Sequence, residues 1–416
     1  MAKKRLFQGI AALISVMVLA WLFYQLPPVK ERLSWRIDFA LTYLRGMAKP
    51  VDSLPTPLAQ SGPSPTASLT PIPLTPTPTP TALPDLPSPT PTFTPTPRPE
   101  SASLPAPTWE QQDINNCGPA SLAMHLRMFG WQGDQFDISA VIKPVREDRN
   151  VNVEELAYYV RTQAGWLNIL YRVGGTLEQL KSFIAAGLPV MIEESFIFEE
   201  PFWPNDDLWA AHYQLLTGYD DAAGVFTAQD SYYGADQRIA YAALDENWKI
   251  FNRVYILLYL PQQETLVREL LGEDWEVDTN RRKALAAAQA EVEANPEDAY
   301  AWFNIGTNQV YFEQYGQAAE AYDQARTFSL PQRMLRYQFG PFFAYFHTGR
   351  IDELMALTGY ALERTPNAEE ALLWHGWGLY RQGDTNGAIA DWQAALEANP
   401  NYLDARYALD FVGAAP

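Results

Sequence analysis

The stretch QQDINNCGPASLAMHLRMFG, residues 111–130, holds Cys117, the single cysteine of this 416-residue chain. Gly118 and Pro119 follow it directly, and the run after them predicts a helix that ends near Gly130. Proline suits the first turn of a helix because its missing N–H has no partner there in any case. We therefore expect the thiol at a helix N-terminus, where the partial positive charge favours the nucleophilic thiolate.

Position alone leaves two interpretations of Cys117 open. Most free cysteines are small buried hydrophobic residues, whereas a catalytic thiolate needs a base, which is normally a histidine. His125 lies about two turns along the same predicted helix, too far to reach the thiol. His347 and His375 fall in a repeated helical part of the chain, where packing explains them. His212, at the start of a predicted strand, remains as the candidate base.

The base also needs an acceptor that orients it, and a predicted hairpin supplies one. HYQLLTGY and VFTAQD read as two strands joined across DDAAG. Closing this hairpin symmetrically pairs Tyr219 with Val225. Gln214 is then paired with Asp230. His212 and Asp230 project from the same face in that register, within reach of each other.

Four further polar residues lie near the same predicted site. Asp220 and Asp221 are interpreted as turn residues of the hairpin, and Asp236 is the second choice as the acceptor for the histidine. Gln111 lies shortly before Cys117, and its side-chain amide could donate to an oxyanion beside the Cys117 backbone N–H.

The rest of this part of the chain predicts an α+β domain. PASLAMHLRMF, VNVEELAYYVRTQAGW and TLEQLKSFIAAG are typical of helices, the second starting after Asn150 or Asn152 and the third capped by Thr176. VMIEESFIF predicts a buried strand before the hairpin, and RVYILLYL predicts a final strand after it. Helices come first and antiparallel strands second.

These residues resemble a known family. QQDINNCGPASLAM resembles the Q-x5-CGP-[AS] motif of the double-glycine, bacteriocin-leader-processing cysteine peptidases and their C39-like relatives in the papain-like clan. TLEQLKSFIAAGLPVMI is similar to the stretch that precedes their histidine, and AAHYQLLTGYD with AQDSYYG is similar to their histidine strand and D-x-x-x-G turn. The resemblance implies a papain-like fold with four catalytic residues: Cys117 as nucleophile, His212 as general base and acid, Asp230 as its orienter and Gln111 as oxyanion donor.

One family property does not carry over. The transporter-linked members are fused to a membrane ATPase, and this chain has no G-x-x-x-x-G-K-[ST] loop. Cleavage after a double glycine is therefore not expected here.

Residues 297–400 predict an all-α tetratricopeptide-like solenoid. Gly349 and Gly383 are 34 residues apart, as are Pro366 and Pro400. Small and aromatic residues recur where packed helix pairs need them, namely Trp302, Gly306, Ala318, Tyr322 and Ala325 in the first unit and Gly376, Ala388 and Ala395 in the last. A plain helical bundle is the alternative.

The N-terminus predicts a membrane anchor. Leu6–Leu26 is an uncharged run long enough to cross a bilayer, and it follows Lys3, Lys4 and Arg5. We expect an uncleaved signal-anchor with a cytoplasmic N-terminus and the bulk of the chain outside the cell membrane. A cleaved secretory signal is the alternative and leaves the compartment unchanged.

Residues 51–107 predict a disordered Pro/Thr-rich stalk. The segment holds 18 of the 33 prolines and few apolar residues. Extended polyproline II would give it a length of up to ~170 Å. Its Ser/Thr-Pro tracts are candidates for O-glycosylation.

Composition excludes some functions. A formal net charge of −19 argues against a nucleic-acid partner, because phosphate binding needs clustered Lys and Arg. Four scattered histidines and one cysteine offer no metal-ligand spacing, and we expect no cofactor.

The sequence thus predicts a membrane-anchored extracytoplasmic cysteine peptidase-like hydrolase, with repeats that recruit a peptide or protein. An inactive binding scaffold and an acyl transferase with the same triad are the alternatives. The expected divisions are 1–28 (anchor), 29–50 (juxtamembrane segment), 51–107 (stalk), 108–262 (peptidase-like domain) and 263–416 (repeats).

Overall fold

The structure is a computed structural model. It describes residues 14–48, 53–58, 98–145, 151–200 and 208–414. Part of the predicted membrane span and most of the predicted stalk, residues 59–97, lie outside the described residues.

The peptidase-like part contains the three predicted helices and two that the sequence did not suggest. Among the described residues they are α2 (Cys117–Arg127), α3 (Gln135–Ile142), α4 (Val153–Gln163), α5 (Leu177–Ala185) and α6 (Tyr241–Lys249). Asn152 caps α4 by accepting from the Glu155 backbone N–H, and Thr176 caps α5 by accepting from the Gln179 N–H. The helix starts therefore agree with the capping residues read from the sequence.

The strands form one antiparallel sheet in the order β2-β7-β3-β4-β5-β6, with β1 beside β4. Their bounds are β1 (Ser101–Ser103), β2 (Asn168–Arg172), β3 (Val190–Ile197), β4 (Trp209–Asp220), β5 (Val225–Asp230), β6 (Gly234–Ala240) and β7 (Tyr255–Tyr259). The predicted α+β arrangement is confirmed.

The hairpin of β4 and β5 differs from the predicted register at its turn but not at its base. Tyr219 lies opposite Phe226, so the predicted pairing of Tyr219 with Val225 is wrong. A bulge between Leu216 and Gly218 shifts the register by one residue. Beyond the bulge, Gln214 lies opposite Asp230, as predicted.

Both faces of the sheet are covered. Alternating side chains of β3 enter different cores, with Met191 in one and Ile192 in the other. The first core includes Leu122 of α2, and the second includes Phe183 of α5. The helix that carries Cys117 is thereby fixed against the sheet that carries His212.

The C-terminal region is helical throughout its described regular elements. The helices are α7 (Glu264–Leu271), α8 (Val277–Ala294), α9 (Ala299–Tyr311), α10 (Tyr315–Thr327), α11 (Gly340–His347), α12 (Ile351–Arg364), α13 (Glu369–Arg381), α14 (Thr385–Ala398) and α15 (Leu403–Phe411). From α8 onward each helix packs on the next.

Two helix pairs in this region show the same close contact. A Cβ at Gly306 of α9 would lie 2.7 Å from the Tyr322 ring of α10. A Cβ at Gly376 of α13 would lie 2.5 Å from Nε1 of Trp392 in α14. The two contacts join residues with the same separation in sequence, which fits the predicted repeat. The tetratricopeptide assignment itself stays a prediction.

The two folded parts share a hydrophobic core. Trp209 of β4 stacks on Phe251 at 6.0 Å between ring centroids, and Tyr337 packs edge-on against both rings. Arg333 is buried and donates to the Trp209 carbonyl at 2.5 Å. Trp209 belongs to the strand of His212, so the helical region abuts the candidate site.

The N-terminal segments are only partly described. Helix α1 (Pro27–Ala48) covers most of the predicted juxtamembrane segment 29–50, and residues 14–24 before it are helical. Within the described residues, no helix has the length and apolarity to cross a bilayer. The anchor at Leu6–Leu26 stays a prediction, since residues 1–13 lie outside the described part.

The described ends of the predicted stalk are packed on the folded parts. Arg98 pairs with Glu178 at 2.9 Å and with Asp221 at 3.0 Å, and β1 (Ser101–Ser103) joins the sheet. Residues 53–58 lie on the helical region. The sheet therefore begins within the segment that we expected to be disordered, because backbone pairing with β4 orders residues of low apolarity.

Candidate active site

Cys117 is the first residue of α2, as the Gly-Pro pair after it predicts. The helix is buried from Gly118 to Leu126, and Cys117 itself is half-buried. A Cβ at Gly118 would lie 3.3 Å from Val151 and 3.4 Å from the Tyr213 ring, so glycine permits the close approach of this turn to β4.

The N-terminal turn of α2 replaces β5 as the neighbour of β4. Strand β5 pairs with β4 no further than the Gln214–Asp230 position. At the next residue of β4, the Ser121 hydroxyl donates to the Tyr213 carbonyl at 2.9 Å. The Tyr213 backbone N–H donates to the Cys117 thiol. The thiol is thus held at the point where the strand edge becomes free.

His212 and Asp230 form a buried pair. His212 Nε2 lies 3.0 Å from Asp230 Oδ1, which also accepts the backbone N–H of Tyr232 at 2.7 Å and of Tyr233 at 2.9 Å. Gln214 Nε2 donates to the other oxygen, Oδ2, at 3.0 Å. The carboxylate accepts four hydrogen bonds, which orient it firmly towards the imidazole.

Charge coupling joins the three residues. Burial raises the pKa of the Cys117 thiol, but its hydrogen bond and charge interaction with His212 bring that pKa below the usual value. Burial lowers the pKa of His212, whereas Asp230 and Cys117 raise it more strongly, above the usual value. Burial raises the pKa of Asp230, but the hydrogen bond and charge of His212 outweigh burial, so the net pKa lies below the usual value. This arrangement favours a thiolate–imidazolium pair.

Gln111 is exposed, and its side-chain amide makes no hydrogen bond within the described part of the chain. Its backbone carbonyl accepts from the buried Gln135 at 2.8 Å. Gln135 also donates to Glu110 and accepts from the Asp113 N–H and the Asn116 amide. One side chain thereby fixes the loop that runs from Gln111 to the thiol, a role that sequence reasoning missed.

Residues 103–256 match the model of the Peptidase_C39 like family. This part of the chain is similar to the C39-like peptidases. A search of the curated proteins gave no match to the chain. We refer to residues 103–256 as the C39-like domain.

Solved structures give similarities of low identity. A putative C39-like peptidase from Bacillus anthracis is 18% identical, with a TM-score of 0.31, 39% of this chain covered and 98% of the other. A double glycine motif protease from an AMS/PCAT transporter, in complex with the leader peptide, is 19% identical, with a TM-score of 0.28, 38% of this chain covered and 94% of the other. YrrB, a TPR protein with an unusual peptide-binding site, is 17% identical, with a TM-score of 0.19, 31% of this chain covered and 84% of the other.

The C39-like domain has two buried carboxyl groups that the sequence analysis did not single out. Glu194 lies opposite His212 on β3, is 4% exposed, and its Oε2 has no hydrogen-bond partner in the described residues. Burial raises the pKa of Glu194 to about 8. Burial, and after it the charge of Cys117, raises the pKa of Glu193, which is paired with Tyr213. The run VMIEESFIF was interpreted only as a buried strand.

An aromatic cluster in the C39-like domain covers His212. The Phe196 ring lies 5.3 Å from the imidazole and 5.5 and 5.3 Å from the rings of Tyr232 and Tyr233. Phe198 packs on both Phe196 and Tyr232. Tyr232 and Tyr233 are exposed, so the cluster faces solvent beside the site. Residues 201–207, sequence PFWPNDD, precede β4 and lie outside the described residues.

The helical region contributes Tyr337 to the surroundings of the thiol. The Ala211 backbone hydrogen-bonds to the Tyr337 hydroxyl, one residue from His212. Burial raises the pKa of Tyr337, and the negative charge of Cys117 adds to that rise. No short motif predicts this contact, because it joins two parts of the chain that are distant in sequence.

The other titratable candidates lie elsewhere. His125 is buried in α2 with its pKa lowered by burial to about 3. His347 stacks on Tyr315, and His375 Nδ1 lies 2.6 Å from Asp391. No group of three or more His, Cys, Asp or Glu residues in the described ranges could hold a metal ion.

The two aspartates of the turn and the alternative acceptor also have other partners. Asp220 accepts the Ala223 N–H at 3.1 Å, as a turn residue does, and Asp221 pairs with Lys181 at 2.9 Å. Asp236 accepts from Gln229 at 2.7 Å. His212 pairs with Asp230 instead.

Proposed function

We propose that the chain is a cysteine peptidase-like hydrolase that cleaves a peptide or isopeptide bond. The observation that carries this proposal is the meeting of Cys117, His212 and Asp230, with the pKa of the thiol lowered and that of the imidazole raised. Perturbed and mutually coupled groups of this kind are typical of catalytic sites. The match of residues 103–256 to the C39-like family supports the same chemistry.

The proposed reaction has two steps. The Cys117 thiolate attacks the carbonyl carbon, and the tetrahedral intermediate collapses as the imidazolium of His212 gives its proton to the leaving amine. The resulting thioester is then hydrolysed by a water molecule that loses its proton to neutral His212. Asp230 holds Nε2 of His212, which leaves Nδ1 to face the sulfur.

Gln111 and the backbone N–H of Cys117 would donate to the oxyanion of both intermediates. The Gln111 side-chain amide has no hydrogen-bond partner among the described residues, and Gln135 fixes its loop; both support this role. Losing one such donor typically costs ~10²–10³-fold in kcat.

We also propose that the catalytic part works outside the cell membrane, tethered by Leu6–Leu26. The basic residues before this run support the orientation. Large apolar side chains between Ile14 and Leu26 are exposed, which supports contact with lipid. Digestion of intact cells with an added protease tests this, since an extracytoplasmic domain is degraded and a cytoplasmic one survives.

The helical region would recruit a peptide or protein substrate. Its packing against β4 through Tyr337 and Arg333 supports this, because a partner held there would lie near the thiol.

Labelling with a thiol-directed acyl probe tests the triad. We expect Cys117→Ala and His212→Ala to abolish labelling while the fold remains, and the exposed His347→Ala to label like the unaltered chain. Equal labelling of His212→Ala would contradict the proposed base and favour an inert scaffold. Analysis of peptide products with and without an added amine separates hydrolysis from acyl transfer.

A further inference from the structure

The segment Ser53–Leu58, sequence SLPTPL, occupies a site on the helical region. Leu54 is 4% exposed and belongs to the hydrophobic core of that region. Its backbone N–H donates to the Leu330 carbonyl at 3.0 Å. The Tyr360 hydroxyl donates to the Ser53 carbonyl at 3.2 Å. An apolar anchor and two backbone contacts therefore fix the first part of the segment.

A buried ion pair holds the next part of the backbone. Arg326 is 1% exposed, and its Nε donates to the Pro55 carbonyl at 2.8 Å while Nη2 donates to the Thr56 carbonyl at 3.2 Å. Nη1 pairs with Glu353 at 2.9 Å. The other oxygen of Glu353 accepts the Leu58 N–H at 2.5 Å. Both charged groups thus contact peptide backbone directly, which repays part of the cost of burying them.

The chemistry of these contacts suits a proline-containing extended peptide. Pro55 and Pro57 have no N–H, so this stretch offers the protein mainly carbonyl acceptors, and Arg326 supplies donors for two consecutive ones. Proline also holds the chain extended before binding, which reduces the entropy lost on docking. The buried leucine adds apolar contact.

We infer that the helical region carries a binding site for extended Leu-Pro-x-Pro peptides, and that residues 53–58 of this chain are its resident ligand. The inference stands on contacts distant from Cys117 and does not depend on the proposed catalysis. Leu86-Pro87-Ser88-Pro89 and Leu104-Pro105-Ala106-Pro107 match the same pattern. The first lies outside the described residues, and the second is held on the C39-like domain, where the Leu104 N–H donates to the Thr217 carbonyl at 2.8 Å.

This docking changes what the proline-rich segment can do. Residues 53–58 are fixed to the helical region, and Arg98 with β1 is fixed to the C39-like domain. Residues 59–97 therefore join two points on the folded part. Only four residues, 49–52, separate the end of α1 from the docked segment. A chain anchored through Leu6–Leu26 would hold its catalytic domain near the membrane.

Binding of a fluorescent SLPTPL peptide to the full-length chain tests the inference. The matched variants are Leu54→Ser and Leu58→Ser, because Leu54 is buried and Leu58 is exposed. Both carry Leu86→Ser, which removes the motif at 86–89, while the motif at 104–107 stays held on the C39-like domain in both variants. We expect the Leu54→Ser chain to bind the peptide at least tenfold more tightly, since the resident segment no longer competes at high effective concentration. A peptide with serine in place of its first leucine, the one that corresponds to Leu54, should not bind.

Equal affinities of the two variants, or equal binding of the two peptides, would overturn the inference. Amide hydrogen exchange in the unaltered chain gives a second measurement that needs no variant. The Leu54 and Leu58 amides should be protected, while Thr56, whose N–H has no partner in the described residues, should exchange at close to the unprotected rate. Lack of protection at Leu54 and Leu58 would also reject the site.

Discussion

Gln214 donates to Asp230 Oδ2 at 3.0 Å, on the side of the carboxylate opposite His212. The other atom of this amide, Gln214 Oε1, is buried and has no hydrogen-bond partner in the described part of the chain. A half-turn of the amide would exchange donor and acceptor. The Gln214 side chain can therefore hydrogen-bond to either a carboxylate or an amide at position 230.

The first prediction follows from this freedom. Asp230→Asn should keep His212 in place, because Asn Oδ1 can replace the carboxylate oxygen while the Gln214 amide turns. Without the negative charge the pKa of the thiol should rise, since the imidazolium is less favoured. Asp230→Ala should lower kcat/KM at least ~10²-fold, as expected when a base loses its orienting group. Kinetics of both variants measure this, and equal losses would contradict the turn of Gln214.

The second prediction concerns pH. The thiolate of Cys117 should persist below the ordinary thiol pKa of about 8.5, because His212 lowers the pKa of the thiol. The rate of alkylation by iodoacetamide should accordingly stay high at pH values where an ordinary thiol is already protonated. Activity should rise with pH through the lowered pKa of Cys117 and fall through the raised pKa of His212. His212→Ala should move the alkylation profile to higher pH, since burial is then opposed only by the backbone hydrogen bonds from Tyr213 and Gly118. An unchanged profile would disprove the pairing.

The sequence could predict the helix and the hairpin that carry the three residues that meet, because each of these elements depends on local patterns. Cys117 follows from a helix start, and His212 from elimination. The match of Gln214 with Asp230 was reached from a hairpin closed one residue out of register at its turn. The bulge at Thr217 shifts the register by one residue and so cancels the error made at the turn. The alternation of apolar residues in β4 does not reveal this bulge.

Contacts between distant segments could not be predicted. The composition of SLPTPL indicates disorder, and only the buried Arg326 and Glu353 explain why it is fixed. Glu193 and Glu194 lie in an apolar run that is typical of a strand. Their importance to the site comes from their pairing with Tyr213 and His212 of β4. Such effects depend on packing that a single sequence does not encode locally.

The third prediction uses the buried carboxyl of Glu194. Its pKa, raised by burial to about 8, lies above the unfolded value of about 4.3. Between these values the native state holds the extra proton, so the free energy of unfolding falls as pH rises. Glu194→Gln should therefore be more stable than the unaltered chain by roughly 4–5 kcal/mol at pH 8 and nearly equal to it at about pH 4.5.

Urea unfolding of Glu194→Gln at both pH values measures this difference. The exposed Glu200→Gln is the control and should leave the pH dependence unchanged. A Glu194→Gln chain that is less stable at the higher pH would show that the carboxylate has a stabilising partner.

The fourth prediction tests the shared core of the two folded parts. Phe251 is buried between Trp209 and Tyr337, so Phe251→Ala should lower the free energy of unfolding by about 3–4 kcal/mol. Phe136→Ala, at a ring that is 55% exposed, should cost no more than about 0.5 kcal/mol. Calorimetry should show one transition for both parts in the unaltered chain. Two separate transitions, with only one moved by Phe251→Ala, would mean that the parts unfold independently.

The fifth prediction compares two helical glycines with different surroundings. A Cβ at Gly376 would lie 2.5 Å from Trp392 Nε1, and this indole also donates to the Leu373 carbonyl at 3.1 Å. Gly376→Ala should therefore destabilise the helical region by roughly 1–3 kcal/mol, since the buried ring has to move. A Cβ at Gly359, inside α12, would meet no atom within 4 Å. Gly359→Ala should stabilise by about 0.5–1 kcal/mol through helix propensity alone. Thermal unfolding distinguishes the two, and a loss of stability in both variants would refute the close packing of α13 on α14 as its cause.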